Sequence, residues 1–462
     1  MSQATLAASE NQPAAPQLSR QLGVVSLTAL LVGLAIGSGI FRVPSTVATE
    51  IGSVGGSAVV WLVGALVALA GALPIVAVTT ALPRTGGTYV FLREAYGQMV
   101  GFLYGWVKLL VTGPSAIAAL ALIFADYTRA FAPLSDSQVH YVAGALIVLL
   151  TLANMRSVPW AVALQTASSA TKVLALAILA VVLFTLGSSA HGAFAQPITW
   201  TGLGSGNFWT ALVAVLFTYT GWMEFTYVAG EVREPEKTYP RALLIGMSII
   251  LVLYLVINAA YLYVLPIPAM AKSKLVAASA ASAPLGPRGA TLVAALVMVS
   301  TFGALNGSIM ASPRVWYAMA KDRVFFRQLS AIHPKGGTPY VALAVNMVLG
   351  LAGVFTHTFE QLARTFVLGR WPFITLAVAT VFILPRRNPA LAHLRTSPGY
   401  PWVPVAFVLF SVAMLVNEIV RRPADMAPSL VIVAVGIVVY LASRFWTNRR
   451  AVARSAAPRA AH

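Results

Sequence analysis

Apolar runs of about eighteen residues or more recur along nearly the whole chain, and nothing else constrains its fold so strongly. They stand at about residues 20–48, 54–80, 95–128, 138–155, 160–187, 208–232, 240–266, 288–321, 338–355, 360–384, 400–420 and 427–447. Each is long enough to cross, as a helix, a hydrocarbon layer roughly 30 Å thick. Backbone polar groups in lipid must find partners within the protein, so segments of this length predict helices rather than open strands. The expectation is an all-α membrane protein with twelve transmembrane helices. Composition agrees: 58% of residues are hydrophobic and 10% are charged, against about 25% charged in soluble domains.

The formal charge of +18, from 31 Lys and Arg against 13 Asp and Glu, points to a membrane surface rather than to nucleic acid. The basic residues cluster in alternate connections: Arg84 and Arg93; Arg233, Lys237 and Arg241; Lys321, Arg323, Arg327 and Lys335; Arg386, Arg387 and Arg395. The positive-inside rule makes that side cytoplasmic. The other connections are mostly neutral loops, with Lys272, Lys274, Arg421 and Arg422 as exceptions. Residues 1–19 lack the basic start and apolar core of a signal peptide and read as a disordered cytoplasmic tail. Residues 448–462 read as a second, basic cytoplasmic tail that touches anionic lipid. Both termini are therefore expected inside a plasma membrane. With no cysteine, a disulfide framework and a thiolate metal site are both ruled out. The histidines (His140, His191, His333, His357, His393 and His462) are scattered, so neither metal nor cofactor is expected.

The first run contains L-V-G-L-A-I-G-S-G-I-F-R-V-P-S-T, residues 31–46, which a continuous spanning helix does not need. Gly33, Gly37 and Gly39 weaken a helix and Pro44 lacks a backbone N–H, so a break is predicted at Gly37 to Gly39. Unwound backbone is tolerated at membrane depth only against protein, water or a ligand. Such a break places free carbonyls beside free N–H groups, a negative and a positive dipole end, which together suit an amino-acid zwitterion. Tight packing of small residues is the competing reading. A second interruption, F-T-Y-T-G-W-M-E-F at residues 217–225, lies in the sixth run. The two breaks each open a block of five runs, and the odd number sets the second block upside down. Matching interruptions in two inverted halves point to a transporter site.

Four motifs together resemble the amino acid, polyamine and organocation (APC) superfamily, most closely its L-type amino-acid transporter branch. They are G-S-G-I-F with Pro44 following, W-V-K-L-L-V-T-G-P-S-A at Trp106 to Ala116, F-T-Y-T-G-W followed by E-V-R-E-P-E-K-T-Y-P-R-A at Glu231 to Ala242, and S-T-F-G-A-L-N-G-S at Ser300 to Ser308 continuing to I-H-P-K-G-G-T-P at Ile332 to Pro339. The resemblance implies a LeuT-type fold of five plus five inverted helices, residues 20–187 and 208–385, with two additional C-terminal helices in 400–447. It implies sodium-independent exchange or uptake of amino acids by alternating access. The alternatives are proton-coupled symport, or transport of cationic amino acids or polyamines. A membrane enzyme would need paired carboxylates or clustered histidines, which are not visible, and two occluding breaks argue against a passive channel.

The same resemblance assigns the candidate site. Backbone N–H groups at Gly37, Ser38, Gly39 and Ile40 would hold the substrate carboxylate. Carbonyls at Ile36 and across Phe217, Thr218 and Tyr219, beside Gly221, would face its ammonium group. Phe217 would be an aromatic gate, and Trp222 could line the inward side. Lys172, a mid-membrane lysine, would reach toward the broken first helix and toward Ser300 and Thr301, its charge standing where relatives bind sodium; a snorkelling lysine is the competing reading. Glu224 would be a proton carrier or a counter-charge for a cationic substrate, or would pair with a base such as Lys108 or Arg314. The run from Glu231 to Lys237 reads as a solvated loop or an ion-pair gate. The chain departs from the branch at Met223, where asparagine is usual, and at Lys108, where an acidic residue is common. The animal branch pairs with a heavy chain through a cysteine in the loop after the third span. Arg129 to His140 holds none, so no disulfide-linked heavy chain is expected.

Overall fold

The computed structural model describes residues 18–189, 192–195, 197–203, 207–273, 275–357, 359–421 and 430–443. Most of the N-terminal tail, the C-terminal tail, His191, His462, Lys274 and Arg422 lie outside the described residues. Among the described residues the chain is helical throughout, and the one extended pairing is an isolated parallel bridge between Leu22 and Val232.

The first run is split into α1 (Val24–Ala35) and α2 (Gly39–Ile51), which meet at a 44° bend. Next come α3 (Val54–Ala81), α4 (Thr88–Tyr96), α5 (Gln98–Val107), a π-helical turn at Lys108–Thr112, and α6 (Gly113–Tyr127). Ser135 starts α7 (Asp136–Arg156) with a capping box, and Ser157 caps α8 (Val158–Leu186); each serine oxygen accepts an otherwise orphaned N–H of the first turn. The sixth run begins as α9 (Asn207–Thr218), breaks, and resumes as a 3₁₀ turn at Glu224–Glu231. Beyond it lie α10 (Pro235–Val264), α11 (Ile267–Lys272), α12 (Val276–Leu285), α13 (Pro287–Ala311) and α14 (Pro313–Lys321). The chain closes with α15 (Tyr340–Thr356), α16 (Phe359–Arg387), α17 (Trp402–Arg421) and α18 (Leu430–Ser443).

Among the described residues six helical stretches are long and apolar enough to cross a membrane, two of them the continuous runs 98–130 and 287–321, and seven if the bent pair counts as one span. Several of the remaining expected spans fall on shorter apolar helices, among them α9, α15 and α18. Residues 267–285 depart from the expected plain loop. Pro268, at the first helical turn, and alanine-rich stretches favour the short helices α11 and α12, which seat on α2.

The distribution of polarity is that of a protein solvated by lipid. Apolar side chains such as Leu66, Leu149, Ile178 and Val252 lie exposed on the long helices. Lys108, Lys172, Glu224, Glu231, Arg314 and Arg370 are buried. Charges placed inside a helical bundle are costly and mark pathways or binding sites. The two halves of the first run have different neighbours: α1 packs against α8, α10 and α13, whereas α2 packs against α9, α11 and α12. The break is thus a joint between two packing groups.

Candidate functional site

The break begins where Ile36 leaves helical geometry at φ −78° and ψ 88°, directly after α1. Ser38 stands at the start of α2 without a side-chain capping bond. The first-turn N–H groups of a helix have no acceptor within it, so this end of α2 presents donors and the positive end of its dipole. Gly39 is required by packing as well: a Cβ there would stand 2.4 Å from Thr218 Cγ2 in α9. At Gly37 the corresponding atom would meet only Leu120 and Ala304, at 3.8 and 3.9 Å.

The second break lies against the first. Gly221 has φ +131°, a conformation that side chains rarely adopt, and a Cβ there would lie 2.7 Å from Ala35 N. One hydroxyl joins the two broken helices: Tyr254 Oη of α10 is 3.1 Å from the Ala35 carbonyl and 3.0 Å from the Thr218 carbonyl. The breaks border a single cavity with about 740 Å³ of empty space, including its mouth. Gly37, Ser38, Gly39, Phe217, Thr218, Gly221 and Glu224 line it, together with Lys108, Ser115, Ser308, Ser312 and Arg370.

Behind the first break, Lys172 of α8 is buried with 1% of its surface exposed. Its ammonium donates to the carbonyls of Gly33 at 2.9 Å, Ile36 at 2.7 Å and Ser300 at 2.8 Å. All three N–H donors are used. The side chain therefore does not snorkel; it ties the end of α1 to α13. Gly303 makes room for it, since a Cβ there would lie 3.0 Å from Lys172 Cε. Ser300 Oγ adds contacts to the Ile36 and Gly37 carbonyls, both at 3.1 Å.

The amino acid permease family profile matches residues 22–442, almost the entire chain. The chain belongs to the amino acid permease family. It is similar to the serine/threonine exchanger SteT of Bacillus subtilis (strain 168), with 30% identity over 92% of this chain and 96% of that protein. It is also 30% identical to the large neutral amino acids transporter small subunit 2 of Oryctolagus cuniculus, over 94% of this chain and 82% of the relative. The cystine/glutamate transporter of Homo sapiens is 27% identical over 94% of this chain and 87% of its own length. These relatives agree with the L-type branch of the APC superfamily and mark a membrane transporter rather than an enzyme.

Several residues of this permease stand differently from the sequence reading. The Ile36 carbonyl accepts from both Lys172 and Ser300, so it is not open to a ligand's ammonium group. The Phe217 carbonyl accepts from Thr220 Oγ1 at 2.8 Å and the Thr218 carbonyl from Tyr254, whereas the Tyr219 carbonyl accepts no hydrogen bond among the described residues. The Tyr219 ring packs between Trp61 and Tyr254. Trp222 does not line the cavity; its ring meets Phe407 edge-on and covers Gly71 of α3. Ile40 is fully buried away from the cavity. The Thr301 hydroxyl turns back onto its own helix, to the Val297 carbonyl at 2.7 Å.

Glu224 is paired, but chiefly with a residue that sequence reasoning did not single out. Arg370 of α16 grips it with both terminal guanidinium nitrogens, at 2.6 and 2.7 Å, while Lys108 Nζ stays 4.0 Å away. Arg314, the other base considered, instead holds Glu231 at 2.7 and 2.9 Å in a pair that is almost completely buried. The Glu231 carbonyl in turn accepts from the N–H groups of Gln21 and Leu22, at 2.8 and 2.9 Å. Glu234 and Lys237 form an exposed pair at 2.7 Å, as a solvated loop would. Charge within an apolar run was the available signal for Arg370. Its partner lies 146 residues away, a separation that no local pattern encodes.

Proposed function

We propose that this chain is a sodium-independent amino-acid carrier, exchanging or taking up substrate by alternating access through twelve spans in a LeuT-type arrangement of two inverted five-helix halves, residues 20–187 and 208–385. In this reading the substrate carboxylate sits on the N–H groups of Ser38 and Gly39, because that of Gly37 already donates to the Ala35 carbonyl at 3.0 Å. The substrate ammonium faces the second break, and Phe217 closes over it. Spans eleven and twelve, within 400–447, lie outside the repeat, both termini are cytoplasmic, and the carrier works in the plasma membrane without a heavy chain. The observation that carries this reading is the Lys172 ammonium, which bonds the Gly33, Ile36 and Ser300 carbonyls as a fixed cation between the broken helix and α13. A resident charge of this kind fills the need for a coupling sodium ion.

The relatives' names span serine and threonine, large neutral amino acids, and cystine with glutamate, so membership of the family leaves the side chain open. A cationic substrate loses its expected counter-charge, because Glu224 is already held by Arg370 with Lys108 alongside. The test is uptake by purified protein in liposomes, using labelled amino acids and an unlabelled competitor panel. Saturable uptake abolished by competing amino acids supports the reading. Flux that rises linearly with concentration and ignores competitors contradicts it.

A further inference from the structure

Within the cavity, the Lys108 ammonium is a charged group without a hydrogen-bond partner among the described residues. It lies at the π-helical turn between α5 and α6, a local irregularity often found at functional sites. Its residue is 3% exposed, and it lines the cavity. Its contacts are the Glu224 carboxylate at 4.0 Å, beyond hydrogen-bond reach, and the face of the Tyr227 ring at 5.2 Å. Among the described residues it makes no hydrogen bond. An ammonium carries three donors, and here they are offered to whatever occupies the cavity.

Glu224 does not relieve this, because its two oxygens are both engaged by Arg370. The cavity lining contains two cations, Lys108 and Arg370, and a single carboxylate, Glu224, which leaves one positive charge in excess. A ligand that enters with a second carboxylate would cancel that charge and accept the idle donors. An apolar side chain would leave both as they are, and a cationic one would add a third positive charge.

We propose that the substrate is an amino acid with a side-chain carboxylate, of the aspartate and glutamate class, and that Lys108 receives that carboxylate. This rests on the reading of the cavity as the amino-acid site. Lys108 thereby becomes the specificity-determining residue, while the backbone of the two breaks holds the part common to all amino acids.

The experiment compares glutamate with glutamine and aspartate with asparagine, each as labelled substrate with the purified full chain in liposomes. Serine, leucine and arginine are run in parallel. The acids are expected to half-saturate uptake at concentrations at least tenfold lower than their amides. Lys108→Met should bring that ratio close to one, and Lys108→Arg, which keeps the charge, should retain a preference for acids. Amides handled as well as acids by the wild type, or an unchanged ratio in Lys108→Met, would overturn the assignment. If Lys108→Met fails to insert, the wild-type ratio decides alone. Uptake of neutral or cationic amino acids without the acids overturns this substrate assignment and leaves the carrier reading standing, whereas no uptake of any amino acid defeats the carrier reading itself.

Discussion

Lys172 shows at the level of one residue how a costly group becomes a structural device. Its three carbonyl partners, Gly33, Ile36 and Ser300, lie on two different helices. Truncation removes a bond from each of them, the Ile36 carbonyl keeping only its Ser300 contact, and a buried group left unsatisfied costs about 1–3 kcal/mol. Lys172→Ala is expected to lower uptake at least tenfold and to lower the melting temperature of the purified protein, read by uptake assay and thermal scan. Unchanged turnover and stability would mean that the contacts are incidental. This lysine was legible in the sequence because a lone charge in an apolar run has few harmless explanations. Tyr254 and Arg370 were not singled out: a tyrosine in a membrane helix carries no distinctive signal, and the partners of both are remote in sequence.

The two breaks are readable as elements, because glycine and proline act locally on helix propensity. What the sequence could not reveal is why each glycine is needed. Gly39 faces Thr218 at a distance no Cβ tolerates, whereas Gly37 faces only ordinary contacts. Gly39→Ala should therefore destabilise the protein, and Thr218→Ser, which removes the clashing methyl, should restore much of the loss. Gly37→Ala should leave stability almost intact while weakening binding of every amino acid alike, since it favours helix across the gap by about 1 kcal/mol. Thermal scans and ligand titrations separate the two effects. Equal behaviour of the two alanine variants would count against distinct roles. The short helices α11 and α12 escaped notice because nothing of span length marks them, and their seat on α2 is a tertiary fact.

Across the whole molecule, the apolar runs made the helical membrane class plain, while the ion pairs that join distant elements emerged only from the fold. The buried Glu231–Arg314 pair links the end of the second broken span to α14, and the N-terminal segment at Gln21 and Leu22 bonds to the same Glu231. Removing one member of such a pair strands a buried charge, at a cost of about 3–5 kcal/mol, whereas removing both does not. Glu231→Leu and Arg314→Met alone should each lower the melting temperature more than the double variant does; additive losses would contradict a coupled pair.

The measurement closest to the central claim is counterflow in liposomes containing the purified chain and no second subunit. Labelled amino acid is supplied outside, and unlabelled amino acid is loaded inside, with sodium present or replaced by choline. A carrier in which Lys172 supplies the fixed charge should show internal substrate accelerating uptake to the same extent in both media. Uptake that requires sodium, or that is indifferent to internal substrate, would contradict the account.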